Sequence, residues 1–177
     1  MKIYVDQSGK VEDTAKSTVL AACNGGKYSV LIVARDKRRL QEKFRLAGKP
    51  ELFVYAIFAT ILYFLIKRLP DKRVVVDSEY SGKMDIIDEM IAVLDEEINL
   101  EWKLIGKNSL AHDLAYRVFK GKLKASKRLT SEEIWPKAIK ITGGRLKIGL
   151  SPTNRRSAPV NARILAKKLK KSRVKKK

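Results

Sequence analysis

The sequence predicts an α/β domain: a five-stranded mixed sheet in the order βββαβαβα, with helices on both faces and a basic extension at the C-terminal end. Three observations lead there. Apolar runs of strand length alternate with patterns of helical period. The first three strands are divided only by loops, as in a meander. Strands that follow a crossover helix run parallel to an earlier strand, so strand four should lie parallel to strand one. With 177 residues, 45% of them hydrophobic, the chain can pack one domain.

KIYVD, at 2–6, is a short strand; STVLAAC, 17–23, and YSVLIVAR, 28–35, are two more, joined by the turn-forming NGGK. RDKRRLQEKFRLAG, 35–48, reads as a charged, irregular connection. Pro50 opens a helix and Pro70 closes it. Its apolar stretch LFVYAIFATILYFLI has 15 residues, short of the roughly 20 that cross a bilayer, so it is predicted as a buried core helix. KRVVVD is the fourth strand. SGKMDIIDEMIAVLDEEI, 81–98, places Met84, Ile87, Ile91 and Leu94 at helical spacing with acids opposite. LEWKLI, 100–105, alternates as the fifth strand, and SLAHDLAYRVFKGK, 109–122, is a helix with Ser109 as its N-cap.

One cysteine, Cys23, allows no internal disulfide, and MKIYVDQSGK lacks the apolar run of a signal peptide, so a cytoplasmic location is expected. The net charge of +20 is concentrated: residues 124–177 hold 18 Lys/Arg against 2 Asp/Glu. Such a block attracts polyanions, nucleic acid first among them, and no membrane partner is expected. Three segments follow: a domain at 1–123, an extension at 124–150 and a basic, partly disordered tail at 151–177. In the extension, AIKITGGRLKIGL is read as a hairpin about Gly143-Gly144, with Lys140, Arg145 and Lys147 on a basic face and Trp135 as its anchor. The tail, with Arg155 and Arg156, is expected to hold backbone phosphate without reading sequence.

The carboxyl ends of parallel strands converge where ligands bind. Asp6 ends strand one and Asp77 ends strand four; Glu51 sits in the first turn of the intervening helix and Asp113 in the last helix. Four acids in one crevice need a hard divalent cation, and Mg²⁺ or Mn²⁺ accepts carboxylate oxygens.

These residues carry a resemblance to type 1 ribonuclease H. IYVDQSG resembles that family's strand-ending Asp and polar turn, PELFVYAIFATILYFLIKRL its central helix with an early Glu, VVVDSEY its Asp-Ser-Gln-Tyr element and AHDLAYRV its last Asp-bearing helix. The resemblance covers 1–123. It implies a ribonuclease H-like fold and an endonuclease that cuts the RNA strand of RNA/DNA hybrids with two metal ions. Asp6, Glu51, Asp77 and Asp113 would be its catalytic and metal-binding carboxylates, and Gln7, Ser8 and Glu79 would lie against nucleic acid. Glu79 replaces the family's usual glutamine, and so would either repel phosphate or add an acid to the metal site. The one histidine, His112, is expected on the surface, about 100° around the helix from Asp113. Two rival readings are a nuclease of the same fold acting on DNA or branched DNA, and a non-catalytic nucleic-acid-binding module.

Overall fold

The computed structural model describes residues 2–106 and 108–148. It is an α/β structure whose sheet has six strands rather than five. The strands are β1 Ile3–Ser8, β2 Thr18–Cys23, β3 Tyr28–Ile32, β4 Arg73–Asp77, β5 Asn99–Lys103 and β6 Lys127–Leu129. The helices are α1 Ala34–Leu46, α2 Phe53–Ile66, α3 Met84–Leu94, α4 Leu110–Phe119 and α5 Ser131–Ile148, with a 3₁₀ turn Pro50–Leu52 before α2. The sheet order is β5-β4-β1-β2-β3-β6. β1, β2 and β3 form the expected antiparallel meander, and β4 pairs parallel with β1. β5 runs parallel to β4, and β6 runs parallel to β3. Ser29 N donates to Ser126 Oγ at 3.0 Å, joining positions 97 residues apart beside that last pairing.

Strand alternation divides the core between two faces. Ile3, Val5, Leu20, Val30, Val74 and Val76 meet α2 and its neighbours on one face. Val19 and Ala21 meet Ala115 and Val118 of α4 on the other. α2 is apolar on nearly every side, as a helix enclosed by sheet and helices must be. Its buried Thr60 is satisfied locally, donating to Ala56 O at 2.7 Å. Among the described residues no helix is long and apolar enough to cross a membrane.

Two segments depart from the sequence reading. The connection at 35–48 is mostly helix: α1 buries Asp36, Lys37, Leu40 and Phe44, which share one face at helical spacing. Two of those four are charged, so the apolar pattern alone conceals the face. Over its described residues, 138–148, the expected hairpin at 138–150 is instead the second half of α5, and Gly143-Gly144 lies inside the helix. Ile134, Ala138 and Ile141 bury one helical face. Thr130 and Glu133 form a reciprocal capping box: Thr130 N donates to Glu133 Oε2 at 2.9 Å and Glu133 N donates to Thr130 Oγ1 at 3.3 Å. Helix start and buried face together outweigh the short alternation. Trp135 does anchor the segment, packing edge-to-face on Phe44 at 5.6 Å.

Because β6 and most of α5 belong to the main body, that compact unit runs from Met1 to Thr142, past the boundary expected at 123. Gly143–Lys177 separates as a second unit. The tail at 151–177, with Arg155 and Arg156, lies outside the described residues.

A buried lysine ties α1 to the loop after β1. Lys37 is fully buried, and its Nζ donates to Lys10 O at 2.8 Å, Asp13 O at 2.7 Å and Thr18 Oγ1 at 2.8 Å. Three donors meet three acceptors. Burial lowers its pKa to about 8, against the opposing pull of Asp13 and Glu12. The native chain then releases this proton before the unfolded chain does, so Lys37 makes stability rise as pH climbs from about 8 into the ordinary lysine range. Lys37→Met keeps the length and removes three hydrogen bonds, leaving Lys10 O only its bond from Thr18 Oγ1 and Asp13 O only its bond from Lys16 N. The expected loss is on the order of 3 kcal/mol in urea unfolding, with faster proteolysis of the loop at 9–17; unchanged stability would refute the clasp.

Candidate metal centre and its cleft

The register Tyr4↔Val75 and Val5↔Val76 carries the β1–β4 pairing up to Asp6 and Asp77. Side chains alternate along both strands, so these two acids share the face opposite α2. Asp6 is 3% exposed and Asp77 is half-buried. Asp77 Oδ1 accepts from Ile105 N at 2.8 Å, which fixes its carboxylate against the loop after β5. The chain leaving β4 turns sharply, with Glu79 N donating to Asp77 O at 2.9 Å, and Glu79 comes back over the same place. One carboxylate oxygen each from Asp6, Asp77 and Glu79 lies within 4.8 Å of the others.

Electrostatics in this cluster are unfavourable as the chain stands. Burial holds the Asp6 carboxyl above its ordinary range, Asp77 raises it further, and His112 opposes both. Glu79 is exposed as a residue, yet its carboxyl is also raised, by partial desolvation first and by Asp77 next. Three hard oxygen donors that repel one another fit a divalent cation such as Mg²⁺, which neutralises them without a soft ligand.

His112 is partly exposed, as expected, and still reaches this centre. Its Nδ1 lies 3.2 Å from Asp6 Oδ2. The expected N-cap is present: Ser109 Oγ accepts from His112 N at 3.0 Å. Ala111, Ala115 and Val118 seat α4 on the sheet. That seating turns His112 toward β1, while Asp113 faces outward, 62% exposed and 3.6 Å from Arg117. Glu51 is likewise apart. It lies in the 3₁₀ turn ahead of α2, 62% exposed and 4.0 Å from Lys49, and is not in the cluster. Of the four acids read from the sequence, Asp6 and Asp77 come together and Glu51 and Asp113 do not join them.

A cleft of about 380 Å³ opens beside the cluster, walled by Gln7, Ser8, Lys10, Lys16, Glu79 and His112, with Tyr116 and Phe119 on the α4 side. Gln7 is buried, and its Nε2 donates to Gly9 O at 3.0 Å and to Tyr80 Oη at 3.2 Å. Its Oε1 is enclosed with no hydrogen-bond partner. Gly9 sits at φ +75°, where a Cβ would lie 2.2 Å from Ser17 O and 2.6 Å from Phe119 Cε2, so only glycine lets the loop close on α4. Lys140 is exposed on α5, which packs against the opposite face. Arg145 and Lys147 fall in the last turns of α5 rather than in a hairpin.

No family model, no curated protein and no solved structure matches the chain.

The sign of the cluster's electrostatics can be measured. Asp6 and Glu79 titrate above their ordinary range in the folded chain. The native state therefore holds those protons longer, and the pair costs stability as pH rises through the raised range. Asp77→Asn keeps an acceptor for Ile105 N and removes one of the repelling charges. In EDTA its Tm should equal or exceed that of wild type, and Mn²⁺ should raise the wild-type Tm but not the variant's. A lower Tm in EDTA, with the Mn²⁺ response intact, would contradict the mutual repulsion.

Proposed function

We propose that this protein is a metal-dependent endonuclease of the ribonuclease H-like type that hydrolyses the RNA strand of RNA/DNA hybrids. The observation that carries the reading is the meeting of Asp6, just past the last parallel β1–β4 pair, with Asp77 at the end of β4 and Glu79 in the turn beyond it, beside an open cleft. The parallel β1–β4 pairing and the apolar central helix support the fold assignment. The composition supports a polyanionic partner, since the excess of cations lies in residues 124–177 and its attraction to phosphate is indifferent to sequence.

Asp6, Asp77 and Glu79 would hold Mg²⁺ or Mn²⁺, and in a two-ion site the metal supplies an activated water and neutralises charge on the leaving oxygen. The chain's own residues prepare that chemistry. Ile105 N fixes the Asp77 carboxylate, and His112 Nδ1 orients Asp6 in the manner of outer partners that steer a metal-binding group. Glu79 takes the position where the resemblance led to a glutamine, as an acid of the centre. Glu51 and Asp113 lie outside the proposed centre. Arg155 and Arg156 in the tail are proposed to take backbone phosphate.

The test is cleavage of a labelled RNA/DNA hybrid, with duplex DNA, branched DNA and duplex RNA alongside, in Mg²⁺ and in Mn²⁺. Wild type should cut the hybrid. Asp77→Asn should lose more than the roughly 10- to 100-fold that removal of an outer partner costs, and His112→Ala should fall within that range. Cutting confined to DNA would keep the chemistry and change the substrate. If wild type binds all four and cuts none, a non-catalytic binding module is the better account.

A further inference from the structure

His112, Tyr116 and Lys120 follow one another at intervals of four, so their side chains line one side of α4 over about 12 Å. The row begins at the acid cluster, where His112 Nδ1 meets Asp6. Tyr116 comes next. Its ring is nearly parallel to the imidazole, at 8° and 6.4 Å between centroids, and the residue is 44% exposed. Lys120 Nζ stands 5.4 Å from the centre of the tyrosine ring. Across the cleft lie the exposed Lys10 and the buried Gln7, whose Oε1 is an acceptor with no donor.

A partly exposed aromatic ring, parallel to an imidazole, overlaid only by the end of a flexible lysine and leading to carboxylates suited to a metal, has the chemistry of a single-strand site. Bases stack on such rings whatever their identity, and lysines follow the backbone. A paired helix keeps its base faces stacked internally and offers edges and phosphates instead. We infer that the substrate strand is unpaired where it crosses α4, with one base stacked on Tyr116 as Lys120 swings from the ring to the backbone, and its phosphates flanked by Lys10 and Lys120. This rests on the reading of the acid cluster as a phosphodiester-cleaving centre. The preferred substrate then carries an unpaired nucleotide next to the cut.

The experiment measures binding of the full chain, in EDTA and at several salt concentrations, to a labelled single strand, a blunt hybrid and the same hybrid with a single-stranded extension. Tyr116→Ala should weaken binding of the single strand and the extended hybrid by about 5- to 150-fold with an unchanged salt slope. Blunt hybrid should be unaffected, and Tyr116→Phe should behave as wild type. Lys120→Gln should lower the salt slope for single strand by about 0.7. The basic tail contributes equally to every variant, and a retained Mn²⁺-induced rise in Tm certifies that Tyr116→Ala is folded. Equal affinity of Tyr116→Ala and wild type for all three ligands would overturn the inference, even with hybrid cleavage intact. Conversely, inert wild-type protein that still loses single-strand affinity on Tyr116→Ala would sink the nuclease reading and leave the strand site standing.

Discussion

The confrontation of Asp6 with Asp77 is the constraint around which the remaining structure is arranged. Two carboxylate oxygens within 4.8 Å of each other repel by roughly 3 kcal/mol at an effective dielectric of about 20. His112 Nδ1 and the backbone of Gln7 relieve one acid, and Ile105 N the other. The sheet holds them together because Val74 and Val76 of β4 and Ile3 and Val5 of β1 are committed to the α2 face. A slip of one residue would send Asp6 into the hydrophobic core and Val5 out of it, and burial of both faces forbids that. The apolar pattern of the two strands thus fixes the position of the charges that oppose it.

Around this pair the fold supplies stiffness from two directions. On one face α2 is enclosed and cannot shift without opening the core. On the other, the loop after β1 is held at both ends of its path: Lys37 grips its carbonyls from α1, and Gly9 lets it close against Phe119 of α4. The cleft walls are therefore set by a cation inside the protein and a missing side chain. Gln7 is wedged between the loop and Tyr80, whose hydroxyl is kept protonated by burial.

Much of this was readable from the residues. Acids that close apolar runs marked Asp6 and Asp77, because a carboxylate at such a place has to be accounted for, although β1 runs on past Asp6 to Ser8. Ser109 signalled the start of α4. What escaped has physical reasons. α1 hid because its buried face includes Asp36 and Lys37, and α5 hid because a short alternation about two glycines outweighed the T-x-x-E signature at Thr130–Glu133. Glu51 and Asp113 matched a linear pattern, but the sheet face under each helix and the seating of α4 decide where they point, and a linear pattern carries neither. Glu79 and His112 reach the centre by a tight turn and by helix rotation.

The parallel pairing of β3 with β6 also bears on how the chain comes to be folded. Those strands enclose most of the domain between them, with Ser29 and Ser126 linked across 97 residues. At synthesis rates of about 5–20 residues per second, roughly 5–20 s separate the emergence of the two partners. During that interval α2, apolar on nearly every side, waits without its complete cover. Folding dominated by such distant pairings is slow, so the nascent chain is at its stickiest before Leu129 leaves the ribosome.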